Sequence, residues 1–122
     1  MKLKDKYRKD IDYNNVTKSD KCNNVYVINN PLNNLYKIGI TFDFEQRIQQ
    51  LECQSGCKLN PLLVLELEIG VCESSQYIEK YLHNYFKDKR FIGEWFSLNK
   101  KDLIEIRNLF YQIDGIEITD NL

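Results

Sequence analysis

The 122-residue chain is 43% hydrophobic, holds four cysteines and carries a net charge of −1, with a pI near 5.8. That length and apolar content suffice for one core without crosslinks, which argues for a single domain and against a disulfide scaffold. The near-zero charge argues against a generic polyanion binder, whose affinity comes from neutralising phosphates with surplus cations.

Residues 1–21 are polar and charged without periodicity, and Lys2, Lys4, Lys6, Arg8 and Lys9 load that end. They are expected to form a loosely ordered arm, with a single domain over 22–122. Val25, Tyr26, Val27 and Ile28 then read as one strand, and Tyr36, Ile38, Ile40 and Thr41 as a second. The Asn- and Pro-rich stretch between them is turn chemistry. An even number of loop residues would place Tyr26 and Lys37 on one face of the sheet, because side chains alternate along a strand.

A helix is expected to follow with Asp43 as its cap and Gln46 three residues on. Phe44, Ile48 and Leu51 form its apolar stripe, and Arg47 lies at the stripe's edge, where its stem can rest on the core while the guanidinium reaches over the sheet. After a loop, Leu63, Leu65, Leu67 and Ile69 alternate with Val64, Glu66 and Glu68, a third strand with one buried face. Ser74 is placed to cap a second helix carrying Ile78, Leu82, Tyr85 and Phe86 on its apolar side. A basic stretch, Lys87, Lys89 and Arg90, leads into an extended segment with Glu94, Trp95 and Phe96. Asn99 and Asp102 then make a capping box for a last helix whose buried face is Leu103, Ile106, Leu109, Phe110 and Ile113, ending at Gly115. The fold expected from these elements is α+β: a small three-stranded antiparallel sheet flanked by helices, in the order β-β-α-β-α, followed by a short extended segment and a C-terminal helix.

No apolar run reaches membrane-spanning length and no signal-peptide pattern is present, so the expected setting is intracellular and reduced, cytoplasmic or nuclear, with free thiols and no membrane partner. Cys53, Cys57, Cys72 and His83 fall within the loose limits of a zinc set, but their irregular spacing across a predicted strand and helix favours plain thiols.

Asn24-Val25-Tyr26, Lys37-Ile38-Gly39, the helical Arg47, the Glu-x-x-Leu-His run at 79–83 and Gly-Glu-Trp-Phe at 93–96 together resemble the GIY-YIG nucleases. Lysine in the second motif is similar to the phage- and virus-borne branch of that family, also called the meiotically up-regulated gene subfamily. The resemblance covers residues 24–98. It departs from the general pattern at Asn24, in place of a glycine, and at Lys37, in place of a tyrosine. It implies a GIY-YIG fold and metal-dependent endonuclease activity on nucleic acid, taken as DNA.

The roles implied are specific. Glu79 would hold one divalent ion, Mg²⁺ or Mn²⁺, since a single hard carboxylate with waters and phosphate oxygens suits it. Tyr26 would accept a proton from the attacking water or orient it, with its phenol pKa lowered by nearby cations. Lys37 would assist that lowering or bind phosphate, and Arg47 would grip phosphate with its planar fork. His83 is a secondary candidate as phosphate ligand or general acid, because its pKa lies near neutrality. Lys87, Lys89 and Arg90 are candidate substrate contacts. Target choice would come from the basic clusters, a homo-oligomer or a separate DNA-binding partner. The alternatives are a catalytically silent nucleic-acid or protein binding module of the same fold, or a host-interaction scaffold.

Overall fold

The turn joining the first two strands occupies residues 31–34, so β1 (Asn24–Asn30) and β2 (Leu35–Thr41) pair antiparallel with Tyr26 opposite Gly39 and Ile28 opposite Lys37. Asparagine chemistry closes it: Asn34 takes the left-handed conformation at φ 57° and returns its amide to the Asn30 carbonyl. The side chains of Asn30 and Asn33 accept from the amides of Leu32 and Leu35. These are the short side-chain loops that favour this residue in turns. The loop is even in length, and Tyr26 and Lys37 share a face.

In this computed structural model the described residues are 22–68, 72–113, 115 and 117–122. The arm expected at 1–21 lies outside them. The further elements are α1 (Phe44–Ser55), β3 (Asn60–Glu66), α2 (Cys72–Tyr85), a 3₁₀ turn (Lys87–Lys89), β4 (Arg90–Ile92), β5 (Trp95–Phe96), α3 (Lys100–Tyr111) and β6 (Glu117–Asp120).

The expected three-stranded sheet is corrected by this arrangement. The sheet has six antiparallel strands in the order β4-β5-β2-β1-β3-β6. The segment read as merely extended folds into the β4–β5 hairpin and adds to the outer edge of β2, while the chain after α3 returns as β6 along β3. These strands are two to four residues long, too short for a period of two to register, and all three residues of β4 are exposed. The overall class is α+β.

Two apolar layers follow from the alternation of side chains. Tyr26, Ile28 and Val64 pack with Leu51, Phe44 and Ile48 of α1 and with Trp95. The opposite face presents Val25, Val27, Ile38, Leu63 and Leu65 to Ile78 and Leu82 of α2 and to Leu103, Ile106 and Phe110 of α3. The sheet is thus covered by α1 on one side and by α2 and α3 on the other.

The caps explain where the helices begin. Asp43 accepts the amide of Gln46 at 3.1 Å, and Gly56, left-handed at φ 69°, closes α1 at its far end. For α2 the expected cap is displaced: the helix starts at Cys72, and the Ser74 hydroxyl is buried within it without a hydrogen-bond partner among the described residues. At α3 the Asn99–Asp102 capping box is present in both directions, and Asp102 also accepts the ammonium of Lys89. One 5%-exposed carboxylate therefore ties the last helix to the turn that delivers Arg90. Asp102→Ala is expected to destabilise the fold by about 1–2 kcal/mol, the cost of a lost cap and a charge-assisted bond, as measured by urea denaturation with an unchanged m-value.

Candidate active site at the open edge of the sheet

β5 covers only Tyr36 and Lys37 of β2, so the outer edge of β2 is left to other partners from Ile38 onward. Ile38 gives its amide to the Glu94 carbonyl at 3.2 Å. Its own carbonyl lies 2.8 Å from His83 Nε2; a carbonyl only accepts, so that nitrogen carries the proton. A helix side chain therefore completes the ladder where strand pairing ends. His83 also lies tilted against Phe96, with ring centroids 5.1 Å apart. The Ser75 hydroxyl donates to the Cys22 carbonyl just before β1, and since the start of β1 pairs with the end of β2, α2 runs antiparallel beside β2. Glu79, one turn before His83, accordingly lies along the open part of that edge.

Tyr26 is 1% exposed, and its ring crosses over Gly39. A Cβ on that glycine would fall 2.4 Å from the phenol oxygen and 2.6 Å from Cζ, so only glycine leaves room for the phenol. Arg47, from α1, acts on the Tyr26 hydroxyl and lowers its pKa, and its guanidinium donates to Gln50 Oε1 at 3.5 Å. Lys37, 8% exposed, forms an ion pair with Glu94 at 2.9 Å and lies 5.6 Å from the centre of the Trp95 ring.

Charge links these groups across the edge. Burial pushes the Tyr26 phenol above its ordinary range; the hydrogen bond and charge of Arg47 oppose this, and Glu94 and Glu79 add to it. The expected lowering by cations is therefore reversed, because desolvation of a phenolate inside the α1 layer outweighs one guanidinium. The Glu79 carboxyl is pushed up to about 7, first by burial, then by Glu94, with Lys37 and Lys80 acting the other way.

Glu94, which sequence analysis placed only in an extended segment, is the partner of Lys37 and acts on both Tyr26 and Glu79. Its place between a glycine and a tryptophan in the Gly-Glu-Trp-Phe run was the available signal. Of the three basic residues expected to meet substrate, Lys87 and Arg90 line a groove of about 470 Å³ together with Lys80, His83 and Asn84. Lys89 points elsewhere, onto Asp102. Cys22, Cys53 and Cys57 are free thiols. Among the described residues, no three His, Cys, Asp or Glu side chains gather as a metal cage would. The half-buried Glu79 carboxyl is, however, a single hard oxygen donor of the kind that suits one hydrated divalent ion.

The family model of the T5orf172 domain matches residues 23–111. No curated protein and no solved structure matches the chain.

Two outcomes are expected from this geometry. Gly39→Ala should cost about 1–3 kcal/mol through overpacking against Tyr26, read from thermal and urea melts. In metal-free buffer, the stability associated with protonated Glu79 is fully present below its unfolded value of 4.5 and is lost as pH rises through its folded value of about 7. Glu79→Gln should therefore raise the melting temperature at pH 8 and leave it nearly unchanged at pH 4.5.

Proposed function

The chain belongs to the T5orf172 domain family, and from that premise we propose that it is a GIY-YIG-like endonuclease domain that hydrolyses phosphodiester bonds of nucleic acid with the help of one divalent ion. The family is associated with nuclease-like and nucleic-acid-binding modules. One observation carries the finer reading. Tyr26 of β1, Lys37 of β2, Arg47 of α1, Glu79 of α2 and Glu94 of the β4–β5 turn are joined by contact or charge at the open end of one strand edge.

Hydrolysis requires a water oxygen to bond to phosphorus in line with the departing 3′-oxygen, with positive charge on the phosphoryl oxygens as negative charge builds there. In this reading Tyr26 keeps its proton at neutral pH and orients the water by hydrogen bonding rather than acting as the base, so the proton the water loses passes through solvent and the departing 3′-oxygen takes one up. Arg47 holds two phosphate oxygens in its fork. Lys37 is held in place by Glu94 and turns toward the phosphate as negative charge arrives. His83 is a positioning residue, because its Nε2–H fixes the Ile38 carbonyl and with it the strand that carries Lys37 and Gly39. Glu79 is the residue that would hold Mg²⁺ or Mn²⁺. When bound, the ion supplies charge stabilisation for the phosphoryl and leaving oxygens. Lys87 and Arg90 contact flanking phosphates, whereas Lys89 acts as a brace through Asp102. An oligomer or a separate DNA-binding partner would add target choice.

A second reading, a binding module that no longer cuts, is favoured by two features of the same site. The phenol retains its proton, and Lys37 is already satisfied by Glu94. The test separates the two readings. Supercoiled plasmid incubated with Mg²⁺ or Mn²⁺ is expected to be cut, and Arg47→Ala and Glu79→Gln should each slow cutting by about 10²–10³, the loss seen when one charge-stabilising group is removed. No cutting under either metal would sink the enzyme and leave the module, and cutting that survives both changes would sink this site as its source.

A further inference from the structure

The face of α2 that turns toward α3 carries two tyrosines at the surface, Tyr81 at 40% and Tyr85 at 57% exposure. They lie one helical turn apart, with rings nearly parallel at 19° and centroids 6.1 Å apart. Tyr85 is held from two sides. Its ring meets Phe86 edge-on at 4.8 Å, and its hydroxyl donates to Glu105 of α3 at 3.0 Å. Beneath the pair, a groove of about 260 Å³ runs between α2 and α3, with Leu82, Ile106 and Leu109 in its lining and the amides of Asn108 and Gln112 among its polar groups. The pair is ordered by its own i,i+4 contact and by the hold on Tyr85, so it offers a flat partner a pre-ordered aromatic surface that remains partly open to solvent.

The other side of the same helix supplies the chemistry of that partner. Lys80 and Lys87, with Arg90, line the basic groove, and among the described residues none of the three forms an ion pair. Lys80 precedes Tyr81 in sequence, so the cationic and aromatic tracks lie about a quarter-turn apart on a cylinder about 10–12 Å across. A nucleotide chain crossing α2 can therefore lay its phosphates on the cations and turn its bases onto the tyrosines. A duplex cannot do this, because its bases are already stacked and paired.

We propose that the groove between α2 and α3 accepts an unpaired base of a single-stranded nucleic-acid segment whose phosphates lie along Lys80, Lys87 and Arg90. This rests on the phosphodiesterase reading for its biological use and deepens it by naming the substrate class: nucleic acid with a single-stranded portion beside the scissile bond. The amides of Asn108 and Gln112 provide hydrogen bonds to base edges, while stacking itself is tolerant of base identity.

The test uses the full chain carrying Glu79→Gln, so that binding is read without cutting. Fluorescence anisotropy with a labelled single-stranded oligothymidylate and a duplex of equal length is expected to show tighter binding of the single strand. Its salt dependence should have a slope of about −2, from three cations at ~0.7 each. Tyr81→Ala and Tyr85→Ala should each weaken single-strand binding about tenfold and leave duplex binding unchanged, whereas the Phe variants, which keep the stacking face, should retain it. Equal or tighter duplex binding, or Ala variants that bind the single strand as the parent does, would overturn the proposal. If the Ala variants bind normally while Arg47→Ala still abolishes cutting, this inference falls and the nuclease reading stands. If single-strand binding needs the tyrosines but no metal supports cutting, the reverse holds.

Discussion

The two hydrogen bonds at Ile38 decide how this molecule is assembled. Its amide goes to the Glu94 carbonyl and its carbonyl receives His83, so the first outward backbone groups of β2 beyond β5 are satisfied by a turn and a helix instead of another strand. An unpaired strand edge is costly if buried and a hazard if exposed. Ending β5 after two residues and letting α2 take over solves both problems. The same solution lets α2, which packs on one face of the sheet, set Glu79 beside groups that belong to the other face. A longer β5 would pair with the rest of β2 and shut α2 out.

Electrostatics at this edge follow from crowding. Lys37 is buried and paired to Glu94, and burial first, then the charge of Glu94, holds the Glu79 carboxyl up at about 7. Arg47 reaches the phenol from the α1 side, but burial dominates there and keeps Tyr26 protonated. Glu79, buried beside a second acid, would be relieved by added positive charge. Under the proposed function, that charge is what a divalent ion would contribute. Beside it, Lys80 of α2, Lys87 of the 3₁₀ turn and Arg90 of β4 gather positive potential around one groove, which is how a chain of net charge −1 can present a basic face.

Much of this architecture was legible before the coordinates, wherever the signal was local. Asparagines fixed the length of the first turn and hence the shared face of Tyr26 and Lys37. Asp43 and the Asn99–Asp102 box marked helix starts through hydrogen bonds made within three residues. The start of α2 was misplaced because Ser74 is a good cap in isolation, yet the helix begins at Cys72 and buries it. The short strands escaped because two to four residues carry no periodicity, and β4 and β6 owe their form to partners far away in sequence. The same limit applies to charge. Nothing near Lys89 announced that Asp102 would claim it, nor did anything near Lys37 point to Glu94. The direction of the Tyr26 shift depended on the thickness of the layer above it, which no motif encodes.

The account stands or falls on whether acids from α2 and the β4–β5 turn meet over one strand edge. Carboxyl-carbon NMR of the metal-free protein, following Glu79 through a pH titration in the parent and in Glu94→Gln, measures that meeting directly. The account predicts a midpoint near 7 in the parent that falls clearly when Glu94 loses its charge and Lys37 is released. A midpoint at the ordinary value of 4.5, indifferent to Glu94, would contradict it.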